Sequence, residues 1–100
     1  MRYNLAANGD EVRVRLSESL SFDDHEAFRE VLTQLSAKKC KRCVFDLREL
    51  TSVDSAGLGM LMIAYQESRQ HRYNMVLQHP TGQVKRLLQI TDLGKVIDVQ

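Results

Sequence analysis

At 100 residues the chain has room for one hydrophobic core and is too short for two. Its 43 % hydrophobic and 27 % charged content is that of an ordinary globular domain, which excludes a disordered or low-complexity chain. With 14 basic residues against 13 acidic, no field of one sign builds up, so net charge points to neither nucleic acid nor a membrane surface.

The opening stretch, MRYNLAANGDEV, has no long apolar segment, and no run in the chain reaches the roughly 18 residues that a membrane span needs. A cytoplasmic protein is expected. Tyr3 to Ala7 and Glu11 to Leu16 flank Asn8-Gly9-Asp10, and Asn-Gly is a strong hairpin signal because both residues tolerate positive φ. In the second run Val12, Val14 and Leu16 alternate with Arg13 and Arg15, so one face is buried and the other wet. Ser21 or Asp23 then caps a helix whose Phe28, Val31, Leu32 and Leu35 form one apolar stripe, ending near Ala37.

Cys43 to Phe45 with Leu47 is short and almost continuously apolar, as a central buried strand is. A second helix is predicted from Asp54 or Ser55 to about Gln70, and a second buried strand at Met75 to Leu77. Pro80 and Gly82 break the chain. Val84, Leu87, Leu88 and Thr91 mark a third helix, and Lys95 to Val99 a last strand. The order β-β-α-β-α-β-α-β predicts an α/β fold: a mixed sheet opened by an antiparallel hairpin, continued by right-handed parallel crossovers, with helices packed on it. Residues 1–100 read as a single domain, without repeat or linker.

Cys40 and Cys43, in CKRC, have the spacing of a redox pair or of half a zinc site. Zinc needs a second pair, and His25, His71 and His79 stand singly. A thioredoxin-like pair sits where a strand gives way to a helix, whereas this one sits where a helix runs into a strand. Reduced structural thiols are expected, and no metal or cofactor.

The stretch LTSVDSAGLGMLMIAYQ, Leu50 to Gln66, carries the chemistry that matters most. Asp54 is an N-cap candidate, which places Ser55 in the first turn with its hydroxyl near the surface. A nucleophile elbow needs G-x-S-x-G, but Val53 stands two residues before Ser55. Gly57 and Gly59 lack both a third glycine at dinucleotide-loop spacing and a following G-K-[ST]. Two readings remain on local physics. Ser55 helps cap the helix, or it accepts a phosphate, whose charge of about −1.5 to −2 a helix N-terminus tolerates.

The longer stretch CVFDLRELTSVDSAGLGMLMIAYQESRQ resembles the signature of STAS domains of the anti-sigma-factor antagonist family. An apolar strand ends in Asp46-Leu47, and Asp54-Ser55-Ala56-Gly57-Leu58-Gly59 opens a helix after a short connection. VKRLLQITDLGKVIDV is similar to the family's third helix and last strand, so the likeness covers nearly the whole chain. It implies a partner-switching protein and not an enzyme. The unphosphorylated antagonist binds a GHKL-class serine kinase that doubles as an anti-sigma factor. Phosphorylation of the serine matching Ser55 ends that binding, and a PPM-type phosphatase restores it. ATP and magnesium belong to the kinase. Two departures stand out: the segment before the first helix is SESLSFDD, with Ser21 where the family favours aspartate and no glycine, and no fourth helix follows the last strand before Gln100. Other STAS domains serve transporters or lipid-trafficking complexes without being switched at this serine.

The docking surface expected from these readings comprises Ser21, Asp54, Ser55, Ala56, Gly57, Met60 and Ile63, on a monomer. At about 100° per residue, Leu58, Leu61, Met62 and Tyr65 share one face of the second helix and are expected on the sheet. Ala56, Met60 and Ile63 lie on nearly the opposite side, as an exposed patch for the partner or as a contact with a neighbouring helix.

Overall fold

Asn8-Gly9-Asp10 turns the chain back on itself, with Gly9 at φ 62, in the left-handed region that glycine enters without penalty. The computed structural model describes all of residues 1–100. Strands β1 (Arg2–Asn8) and β2 (Glu11–Leu20) pair antiparallel, with Leu5 opposite Val14 and Asn8 opposite Glu11. A single 3-10 turn, Phe22–Asp24, leads into helix α1 (His25–Lys38), which buries Phe28, Val31, Leu32 and Leu35 as its periodicity predicts. It stops at Lys39, where the backbone turns left-handed at φ 51.

Strand β3 (Arg42–Val53) lies parallel between β2 and β4 (Asn74–Gln78), joined to the latter by helix α2 (Ser55–Gln70). Helix α3 (Gly82–Ile90) follows. The segment expected as one last strand, Lys95 to Val99, is divided. Its first residues close a short helix α4 (Leu93–Val96), and only Asp98–Val99 forms β5, parallel to β4. Leu93 and Ile97 explain the division: both are buried, four residues apart, as one helical turn places them. The sheet order is β1-β2-β3-β4-β5, a mixed sheet with three parallel connections.

Register sorts the side chains into two faces. Val14, Phe45 and Leu77 form one cross-strand row, and with Val12, Leu16, Cys43, Leu47 and Met75 they join the buried residues of the helices in one core cluster. The opposite face carries the rows Arg13, Val44, Val76, Asp98 and Arg15, Asp46, Gln78. Val44 and Val76 are fully enclosed at its centre, outside the core cluster. Beside them Asp46, only 4 % exposed, faces Arg13 Nη1 at 3.6 Å and Arg15 Nε at 3.8 Å. Its Oδ1 also accepts the Arg48 N–H at 3.1 Å. These partners satisfy a carboxylate that would otherwise be costly to bury.

Cys40 and Cys43 are free thiols, both buried. Burial pushes the Cys43 thiol far above the ordinary range, and the nearby Cys40 and Glu11 add to the shift; burial also raises Cys40. Since the thiolate is the reactive form, both thiols are held inert. Ellman's reagent at pH 8 should therefore leave both unlabelled in folded protein over the minutes in which urea-unfolded protein reacts fully. Rapid labelling of Cys43 in the folded state would contradict this environment.

Candidate functional site

Asp54 joins two segments that are distant in sequence. Its backbone is extended, as at an N-cap, and its Oδ1 accepts the Gly57 N–H at 2.7 Å, satisfying one of the free amides in the first turn of α2. Its Oδ2 accepts the N–H of Phe22 at 3.2 Å, at the mouth of the loop that leaves β2. The Asp54 N–H in turn donates to Leu20 O at 3.2 Å. The start of α2 and the Ser21–Phe22 segment are thereby held side by side.

Gly57 makes this approach possible. A Cβ there would overlap the carbonyl oxygen of Leu20 and stand 2.8 Å from Val53 Cγ1. Gly59, two residues on, faces open space. The two glycines of the motif therefore have different physical roles. Gly57→Ala should destabilise the fold by about 1–3 kcal/mol through overpacking, although helix propensity alone favours alanine by about 1 kcal/mol. Gly59→Ala should keep that gain. Urea midpoints of the two variants check this, and a stabilised Gly57→Ala would show that the contact yields freely.

Ser21 is fixed by reciprocal bonds with Asp24: the Ser21 N–H donates to Asp24 Oδ2 at 2.8 Å, the Ser21 hydroxyl donates to the same oxygen at 3.3 Å, and the Asp24 N–H donates to Ser21 O at 2.9 Å. The amino group of Met1 lies 2.8 Å from Asp24 Oδ1. Burial alone would raise the Asp24 carboxyl, but the hydrogen bonds from the amino group and Ser21 outweigh it and hold the pKa below the usual value. A carboxyl depressed in the folded state stabilises the fold above its unfolded pKa of about 3.9, and that contribution is lost as pH falls through the lower folded value. Asp24→Asn should flatten the fall in urea midpoint below about pH 5. An unchanged acid limb would remove Asp24 as its source.

Ser55 is the first residue of α2, exposed, and its hydroxyl takes no hydrogen bond within the protein. The competing hydroxyls differ. Thr51 Oγ1 donates to Glu18 O at 2.8 Å, Ser21 is engaged with Asp24, and Ser52 is half-buried in β3 opposite Ser19.

The expected two-faced division of α2 requires correction. The buried stripe is Gly57, Met60, Leu61, Ala64 and Ser68. Leu58, Met62 and Tyr65 lie half-buried on one flank of it, and Ala56 half-buried on the other. Met60, expected in an exposed patch with Ile63, is 3 % exposed and belongs to the core cluster. Its side chain lines a cleft between α1 and α2 with Phe28 and Leu32 of α1. Ile63, at 48 % exposure, remains accessible at the rim of the same cleft. Phe22, 67 % exposed and tied to Asp54 through its backbone, was missed; an aromatic in a polar stretch just before a helix was the available signal. Ser21 and Phe22 are thus held beside Asp54 and the first turn of α2, which carries Ser55, Ala56 and Gly57, while Ile63 lies about two turns further along the helix and Met60 is buried.

A family model described as "Mlab, STAS domain" matches residues 3–98, and the chain belongs to the STAS-domain family. A STAS-domain containing protein of Pseudomonas aeruginosa (strain UCBPP-PA14) is 24 % identical over 94 residues, covering 94 % of this chain and 92 % of that one. The anti-sigma-B factor antagonist of Listeria monocytogenes is 34 % identical over 55 residues, 55 % of this chain and 48 % of the Listeria protein. Among solved structures, the anti-sigma factor antagonist SpoIIAA in its unphosphorylated form superposes with a TM-score of 0.74 at 16 % identity, over 99 % of this chain and 87 % of SpoIIAA. The fold is shared with SpoIIAA. No helix here is long and apolar enough to cross a membrane.

Proposed function

We propose that this protein is an anti-sigma-factor antagonist of the partner-switching kind, a cytoplasmic binding module and not an enzyme. Unphosphorylated, it docks on a GHKL-class serine kinase that also serves as an anti-sigma factor. Phosphorylation of Ser55 by that kinase releases it, and a PPM-type phosphatase resets it. The observation that carries this reading is the Ser55 hydroxyl, exposed and unpartnered at the first residue of a capped helix, with the exposed Phe22 on a segment tied to the same Asp54 cap. A phosphate there meets the positive end of the α2 dipole, so the modification is compatible with the fold. In a docked complex the same charge is desolvated against a surface shaped for a neutral hydroxyl, which costs about 2–5 kcal/mol, or thirtyfold and more in affinity.

A second reading keeps the same surface and changes the partner: a STAS subunit docked on a transporter or lipid-trafficking complex, not switched at Ser55. The matching family model, described as "Mlab, STAS domain", is compatible with it.

Incubation with the cognate kinase and ATP, followed by peptide mass mapping, should place phosphate on Ser55 and leave Thr51, Ser52 and Ser21 unmodified. In calorimetric titrations Ser55→Ala should retain kinase binding and Ser55→Glu should lose it, both staying folded. Ile63→Lys and Phe22→Lys should each weaken binding by about tenfold or more while thermal stability stays within the range of ordinary surface substitutions, about 0.5 kcal/mol. Equal affinity for the alanine and glutamate variants would exclude the switch and leave the second reading.

A further inference from the structure

A second candidate site lies alongside α3 and α4. A cleft of about 810 Å³ opens at the carboxyl end of β4, beside the middle of β3 where its pairing with β4 stops. Arg48 enters it from β3, just past the last residue paired with β4, and His79 from the position after β4, held at φ 58. Lys85 of α3 and Lys95 of α4 complete the set. No aspartate or glutamate lines the cleft, and Arg48, Lys85 and Lys95 make no ion pair elsewhere. By contrast, Arg2, Arg13, Arg15, Lys41 and Arg42 all face carboxylates.

Three cations without a carboxylate partner around one concavity make its potential positive, which favours an anion there. Two further features describe it. Thr91 lines the cleft, and its Oγ1 is buried without a partner, a donor left free in a place where buried polar atoms are normally satisfied. Pro80, Leu88 and Val99 supply an apolar wall, which a bare inorganic ion would leave uncovered.

We propose that this cleft binds a small phosphate-bearing ligand with an apolar body, its phosphate held by Arg48, Lys85 and Lys95. The inference stands apart from the Ser55 switch and uses none of its residues. The phosphate belongs either to a free small molecule or to a lipid headgroup.

Titration of nitrogen-15-labelled protein with hexyl phosphate and with inorganic phosphate tests it by NMR. Saturable shifts should concentrate at Arg48, His79 to Lys85 and Thr91 to Lys95, with hexyl phosphate binding about tenfold more tightly than inorganic phosphate. The double variant Lys85→Gln, Lys95→Gln should weaken both probes about tenfold or more with an unchanged melting temperature. Arg86→Gln, a neighbouring exposed arginine outside the cleft, should stay within about twofold. Co-sedimentation with phosphatidylglycerol vesicles, lost in the double variant, would assign the phosphate to a headgroup; binding of hexyl phosphate without co-sedimentation would assign it to a free molecule. Shifts scattered over surface lysines, no saturation by about 10 mM, or an Arg86→Gln loss equal to that of the double variant would overturn the proposal.

Discussion

One carboxylate, that of Asp54, accepts two backbone amides, the Phe22 N–H from 32 residues away and the Gly57 N–H from three. Each bond answers a separate need. The first turn of a helix has amides without intrahelical acceptors, and the loop leaving β2 needs an anchor where its strand pairing stops. A shared acceptor meets both only if the two segments come within a few ångströms, and that distance is set by Gly57, whose missing side chain leaves space for Leu20 O. The geometry of the Ser55 surface follows. The residues between the cap and the glycine have their position fixed from both sides, and the loop that carries Ser21 and Phe22 is held beside them.

Much of the architecture was legible because core-facing periodicity and turn chemistry agree along most of the chain. The α1 stripe, the Asn-Gly hairpin and the start of α2 all follow from these signals. Helix α2 shows where they fail. Grouping its large apolar residues by helical angle selects Leu58, Leu61, Met62 and Tyr65, yet the packed stripe keeps only Leu61 of these and adds Gly57, Met60, Ala64 and Ser68. Small residues bring a helix close to its neighbours and so define the buried face without being the most apolar residues on it. Ser68 is enclosed because its hydroxyl donates to Tyr65 O at 2.6 Å, a local bond that no hydropathy pattern reports. Once the stripe is drawn through these residues, Met60 falls inside it and Ile63 outside.

The far half of β3 was illegible for a different reason. Arg48 and Glu49 are exposed, which interrupts the apolar run after Leu47, while the strand continues to Val53 through pairing with β2 alone. Register shifts between Arg15 and Ser17 and between Glu18 and Ser19 accompany this extension. Bulges of this kind change the alternation on which a period-two reading depends. Glu18 takes a positive φ of 70 there, and Thr51 Oγ1 donates to its carbonyl. This irregular pairing carries the chain to Val53, and so determines where α2 begins.

The proposed switch is separable from the fold because different atoms carry each. The amides that secure this corner go to the Asp54 carboxylate and the Leu20 carbonyl, and the close packing goes to Gly57. Ser55 contributes its backbone to α2 and leaves its hydroxyl outside. A negative charge added at that hydroxyl removes no existing hydrogen bond and buries nothing in the free protein. It stands near the carboxylate of Asp54, but both of that group's oxygens already accept amide protons, and the helix N-terminus opposes the added charge with about half a positive one. The energetic consequence of modification is therefore small in the isolated domain and large only where a partner would desolvate the phosphate. A surface with that asymmetry suits a reversible switch, because it changes what the protein binds without drawing on the modest stability of a fold this small.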